Sequence, residues 1–324
     1  MTSREYWEKR EEEQRKKNIK EEKGYQKRVE EIYKNMLDEI QKEINGFYTR
    51  YAKKEGITMA EAKKRVAQID MEAYERKAKR YVKEKNFSER ANEEMRLYNL
   101  TMKVNRLELL KANIGLEMVA GFDELQRYFD EMLTDEALEE YKRLAGILGE
   151  GLDFNEDKAK AIANASFHNA TFSERIWLYQ GMLKNEISSL LQTGLIQGKH
   201  PRELARYLVK RFGVSRYNAE RLMITELARV QTEAQKQAFI RNDFEEYEYI
   251  ALGTACPICK NIDGKRFKVK NMMPGSNAPP MHPRCRCSTA AHMDSKGYDE
   301  WLDTYSRHKM DFATWRKKHD RGNR

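Results

Sequence analysis

Residues 1–254 contain one proline, Pro201, while the stretch from Ala255 to Ser288 contains the other five. Proline removes a backbone donor and clashes with the preceding helical turn, so a stretch that long with one proline is free to be helix almost throughout. Pro201 itself suits a first helical position, where its missing N–H costs nothing. Glu, Lys, Arg, Ala, Leu and Met, all strong helix formers, fill the rest. The expectation is a mainly α chain, with an elongated helical body followed by a small metal-stapled α+β segment near the C-terminus.

Residues 1–50 read as one polar helix. Fifteen of the first 23 residues are charged, and apolar residues become regular only at Val29, Ile32, Tyr33, Met36, Leu37, Ile40 and Ile44, a single stripe at helical spacing. The first turns have little to bury, which predicts exposure to solvent or capture by another subunit. Thr58 and Glu61 have capping-box spacing and open a helix predicted to reach about Lys85. Met95, Tyr98, Met102, Leu109 and Leu110 continue helical spacing as core filler, with Gly115 and Gly121 as expected breaks. Residues 149–177 are the least regular part of the first half and predict a junction with a short hairpin or extended arms. Thr171 and Glu174 repeat the capping-box spacing, Gly213 is expected to end the helix opened by Pro201, and Ser215 to cap the next. Four regions result: an N-terminal helical region over 1–155, a helical core over 156–243, a two-stranded metal-binding segment over 244–291, and a basic C-terminal helix or tail over 292–324.

Lys and Arg number 61 against 52 Asp and Glu, a net charge of +9 spread over a surface of mixed sign. That is compatible with a polyanionic partner and equally with solubility alone. The opening residues hold no apolar stretch of signal-peptide type and no run of about 20 apolar residues occurs, so an intracellular, membrane-free protein is expected.

All four cysteines lie between residues 256 and 287. Cys256 and Cys259 form a C-x-x-C pair with Pro257 favouring a tight turn, and His282, Cys285 and Cys287 follow in "HPRCRC". Two close pairs of soft donors on two turns are the usual supply for a tetrahedral zinc ion. Five donors compete for four positions. Cys256, Cys259, His282 and Cys285 repeat the same x-x spacing, and an all-thiolate set with Cys287 in place of His282 stands beside it. A redox pair at Cys256 and Cys259, or unliganded thiols, are the other readings. Nothing in the sequence provides an open coordination position: there is no H-E-x-x-H, and no H-x-E before the C-x-x-C. No catalytic residue is assigned, and one structural Zn2+ is expected. The segment has few large apolar residues, so metal binding is expected to supply most of its folding energy. "NIDG" predicts a turn with Gly264 at positive φ.

Arg221 and Glu226 sit in "ERLMITELAR" among core-facing apolar residues. Five positions apart, they do not share a helix face, so each is expected to meet another element, Glu226 for instance a basic residue of the metal segment. Lys265, Arg266, Lys268 and Lys270 beside the cysteines, with Arg316, Lys317 and Lys318 in the tail, are candidates for phosphate contact or for a solvated rim.

The stretch from "FSERIW" through "ERLMITELARVQTEAQ" to "CPICKNIDGKRF" and "APPMHPRCRC" resembles the head-morphogenesis or minor head proteins of tailed bacteriophages, the family of the Mu-type F protein. The resemblance lies in an R-x-x-x-T-E element at Arg221, Thr225 and Glu226, in the H-P-x-C-R-C at His282, Pro283, Cys285, Arg286 and Cys287, and in Cys256 and Cys259 followed by the Asp263–Gly264 turn. It implies a non-enzymatic structural protein of the virion, in the phage head interior and in host cytoplasm during assembly. The implied partners are the portal protein, the capsid interior and, non-specifically, packaged double-stranded DNA, with no membrane before ejection. A zinc-dependent nuclease and a cellular DNA-binding module are the alternatives from other classes.

Overall fold

The computed structural model describes residues 3–51, 106–148, 154–196, 201–293 and 296–319. Helix α1 spans Ser3–Tyr51, α2 Arg106–Leu148, α3 Glu156–Ala163, α4 Phe172–Ile196 and α5 Pro201–Arg241. Strand β1 (Glu246–Ile250), the single-turn helix α6 (Pro257–Lys260), β2 (Arg266–Lys268) and β3 (Ser288–His292) follow, and α7 (Lys296–His308) and α8 (Phe312–His319) complete the described chain. Among the described residues the protein is mainly helical, as the proline distribution predicts, with one small antiparallel sheet. The capping pair at Thr58 and Glu61, and Met95, Tyr98 and Met102, lie outside the described residues.

The chain divides into two compact units, one of Met1–Gln26, Tyr128–Phe172 and Glu220–Arg324, the other of Lys27–Arg127 and Ser173–Ala219. In the second, the predicted α1 stripe is the core: Val29, Ile32, Tyr33, Met36, Ile40 and Ile44 are all buried, as are Leu110, Ile114, Phe122 and Leu125 of α2. Neither Gly115 nor Gly121 breaks α2. The apolar spacing continues across both, and at Gly121 the absent side chain admits Met36, whose Cε lies 2.6 Å from where a Cβ would stand. Gly213 likewise does not end α5, because Leu208, Phe212 and Ala219 keep one face buried across it and offset the roughly 1 kcal/mol that glycine costs in a helix. Ser215 is therefore mid-helix, its buried hydroxyl 2.9 Å from that of Tyr33.

The first unit holds an aromatic core. The first turns of α1 are not wholly solvated: Glu5, Glu8 and Lys9 are exposed, but Tyr6 and Trp7 are buried. Trp7 is buried and donates its indole N–H to the Tyr298 hydroxyl at 2.8 Å, which in turn donates to the Ala291 carbonyl at 3.0 Å. Tyr6, Tyr141, Phe239, Phe244, Tyr247, Trp301, Phe312 and Trp315 share this core, so the C-terminal helices are packed elements of the unit. Within the irregular stretch, Phe167 and Ala170 exchange backbone hydrogen bonds across His168 and Asn169, both at positive φ, a short hairpin turn of the expected kind.

The sheet has the order β2–β1–β3, both neighbours antiparallel to β1. The sequence predicts β1 and β2 only. The segment is three-stranded, because "STAAH" carries too few bulky β-formers to be read as a strand yet buries its three central residues. Tyr247 faces Phe267 on one side and Ala291 on the other. Tyr247, Val269, Met272, Ala278, Ala290 and Ala291 all join the aromatic core, so the cysteine-bearing segment has more apolar anchorage than its composition suggests.

Candidate metal centre

Two turns, both in the first unit, carry the cysteines. The β1–β2 connection bends into α6, where Cys256 takes the cap position, Pro257 the first helical position, and the Lys260 N–H returns to the Cys256 carbonyl at 3.0 Å. The connection closes through Gly264, at φ +69°, whose N–H donates to the Tyr249 carbonyl at 2.9 Å. Asp263 accepts from the Ala251 N–H at 2.9 Å, pinning the two ends of the loop together. In the second turn the Cys285 N–H donates to the His282 carbonyl at 3.1 Å, and Arg284 adopts the left-handed conformation, φ +60°, that the tight bend requires.

These turns bring all five predicted donors together. The donor atoms of Cys256, Cys259 and His282 lie within 4.8 Å of one another, as do those of Cys259, Cys285 and Cys287, so Cys259 joins both groups. All four cysteines are free thiols, and Cys259 and Cys285 are fully buried. Their sulfurs are 3.8 Å apart. Two thiolates bound to one tetrahedral zinc at about 2.3 Å would stand about 3.8 Å apart, so this pair already has the spacing of two ligands.

The electrostatics agree. A hydrogen bond from Cys287 is the main cause holding the Cys285 thiol down to about 5, against the burial that opposes it. Burial pushes Cys259 up to about 12. Crowded thiols in low dielectric cannot all ionise, and a bound cation is what makes several thiolates tolerable together. Tyr249 adds an independent sign: its buried hydroxyl has no oxygen or nitrogen partner, and burial followed by Cys285 and the neighbouring thiols raises its pKa. A phenol O–H in that place is suited to donate to a metal-bound sulfur. His282 directs Nδ1 at the Pro283 carbonyl, 2.9 Å away; a carbonyl only accepts, so Nδ1 carries a proton, and in the neutral ring Nε2 is the nitrogen with a lone pair to offer an ion. The five residues fit a thiophilic metal ion.

The R-x-x-x-T-E element stands behind the second turn. The Thr225 hydroxyl donates to the Arg221 carbonyl at 2.7 Å and accepts the Arg284 N–H at 3.1 Å, tying α5 to the left-handed residue of the metal turn. Glu226 pairs with Arg229, one helical turn further on, at 2.6 Å, both side chains at most 2 % exposed. Arg229 also donates to the Ile162 and Ala163 carbonyls at 2.9 and 2.7 Å, satisfying the C-terminal end of α3. Sequence reasoning missed Arg229, although its i+3 spacing from Glu226 was the available signal.

Of the basic candidates, Arg266 and Lys268 lie near carboxylates of the adjacent strand: Arg266 is 3.9 Å from Glu248, and Lys268 3.1 Å from Glu246. Lys265 and Lys270 are exposed. Arg316, Lys317 and Lys318 occupy the exposed last turn of α8, where positive charge complements the helix dipole whatever else it does. No described helix is long and apolar enough to cross a membrane.

Compared with known protein families, residues 185–290, about a third of the chain, match the family described as Phage Mu protein F like protein. The match begins within α4, contains the metal turns and the Arg221–Glu226 element, and ends in β3. No curated protein and no solved structure matches.

Proposed function

We propose, from the premise that this chain carries a segment of the Phage Mu F-like family and is thereby assigned to phage head morphogenesis, that it is a minor head protein working at the portal and inner capsid. The family is of a structural head-protein type, and the chain's chemistry is read accordingly: one zinc ion serving architecture rather than catalysis. Cys256, Cys259, His282 and Cys285 would hold it, with Cys287 beside Cys285. The observation that carries this reading is the convergence of family segment and site, since Thr225 of the family element holds the backbone of the metal turn. When bound, the ion would supply folding energy to two turns that share a small core, in which Tyr249, Cys259 and Cys285 are buried and their apolar neighbours only partly covered.

Two measurements test it. Elemental analysis of reduced protein should give one zinc per chain; His282→Asn should weaken retention at least tenfold and Cys287→Ser less, and the reverse order would transfer the fourth position to Cys287. Purified portal rings should co-sediment with the protein, and failure to do so at micromolar concentration would remove the portal assignment. The exposed lysines beside the sheet and in α8 support passing contact with packaged DNA. Filter binding to duplex DNA should then show weak affinity that falls steeply with salt, without sequence preference.

A further inference from the structure

The second metal turn is held from behind by α5 and also from outside by α1, which lies beyond the residues that match the family. Arg286 stands between Cys285 and Cys287, and its guanidinium meets Glu22 of α1 through both carboxylate oxygens, Nε to Oε1 at 2.9 Å and Nη2 to Oε2. Ser288, directly after Cys287, donates to Glu11 at 2.6 Å, and Glu11 is fixed from its other oxygen by Arg143 of α2 at 2.8 Å. The first metal turn is gripped by the same helix, since Arg4 reaches Asp263 at 3.1 Å and Glu248 at 2.7 Å. Residues 4, 11 and 22 are 7 and 11 apart, spacings that return to one face of a helix, so a single stripe of α1 touches both turns. The tie is tight at Gly264, where a Cβ would come within 2.3 Å of the Arg4 guanidinium.

We infer that Glu22, supported by Glu11, is a positioning residue of the metal centre, and that docking of α1 and retention of the ion are one coupled equilibrium. This rests on the zinc reading above. A bidentate arginine–carboxylate pair fixes the orientation of the residue between two thiols, and the Glu22 side chain is only 11 % exposed, so the pair is shielded from solvent screening on that side. Linkage then requires reciprocity: whatever factor α1 adds to metal affinity, the metal adds to α1 docking.

The test uses the full-length, zinc-loaded chain in competition with a chromophoric zinc chelator. Glu22→Gln should weaken zinc retention about tenfold, the usual effect of losing a residue that orients ligands. Glu12→Gln, on the same helix but paired with its neighbour Arg15, should leave it unchanged. The charge-reversed pair Glu22→Arg with Arg286→Glu should restore retention, which a general loss of folding would not do, and circular dichroism confirms that each variant stays helical. In the wild-type protein, zinc removal should speed proteolysis within residues 3–26. A wild type that binds zinc and a folded Glu22→Gln that retains it equally well would overturn the inference and leave the zinc reading standing. A wild type that binds no zinc overturns both.

Discussion

Helix α2 and the two cysteine turns face the same difficulty, ordering backbone against its entropy, and meet it differently. Within the first unit, helix α2 buries Phe129, Leu133, Ala137, Tyr141, Leu144 and Leu148, so many small apolar contributions hold it. The turns around Cys259 and Cys285 have a much smaller and more open cluster: only Tyr249 and two thiols are buried in it, with Ala251, Ala255, Ile262, Phe267 and Met281 partly covered against them, and hydrogen bonds to α1 and α5 add to it. A distributed core fails gradually and a point-held one fails all at once. The sheet sits between these regimes, since Tyr247, Ala290 and Ala291 turn to the aromatic core while Tyr249 turns to the thiols.

Substitutions can break this contrast. The largest effect is expected on the apolar side: Phe129→Ala, which removes a fully buried ring stacked on Phe172, should cost about 3–5 kcal/mol in chemical denaturation. It should leave zinc stoichiometry intact. A loss of similar size is expected from Glu226→Ala, which strands the Arg229 charge in a buried site and loosens its hold on the end of α3; breaking one side of a buried pair costs about 3–5 kcal/mol.

A smaller, pH-dependent effect comes from a cavity of about 60 Å³ lined by Glu22, Glu136, Glu140, Gln231, Gln235 and Arg286. Burial pushes the Glu136 carboxyl up from 4.5 to about 7, with Gln231 opposing and Glu140 adding. The folded protein therefore keeps a proton there that the unfolded chain gives up. That contribution to stability is whole below about 4.5, falls as pH rises toward about 7, and is gone above it. Glu136→Gln, neutral throughout, should flatten that slope, with a gain on the order of 3 kcal/mol at most at pH 8. A thermal-melt series from pH 4 to 8 with parallel lines for both proteins would contradict it. The smallest effect sharpens the contrast: Thr225→Ala should cost about 1–2 kcal/mol, because it leaves the Arg284 N–H without its acceptor. Hydrogen exchange should report that loss in the second metal turn and not in α2.

Much of this was legible in the sequence where the signal is local. The stripe from Val29 to Ile44, the start of α5 at Pro201, the β1–β2 pair and the convergence of the four cysteines with His282 follow from local residue type and spacing. The errors share one cause. Gly115, Gly121 and Gly213 look like stops because glycine is a poor helix former, yet tertiary burial on either side outweighs that preference. The first turns of α1 look idle because their partners, Tyr298, Asp263 and Arg286, lie more than 200 positions away. Strand β3 is invisible because its five residues are ordered by pairing to β1 and not by their own propensity. For the same reason the cysteine segment reads as owing most of its folding energy to an ion: nothing local shows that Tyr247, Val269 and Met272 are anchored in a core built partly by Trp7 and Trp301.

The central claim is that an ion bound by the sulfurs orders the two turns, while apolar packing orders the strands beside them. Hydrogen exchange on the reduced, zinc-loaded protein before and after chelation tests it directly. The account predicts that residues 251–265 and 281–287 lose protection, that β1 and β3 largely keep theirs, and that α2 is unchanged. Equal protection of both turns with and without metal, or purified protein carrying no stoichiometric zinc, would contradict it.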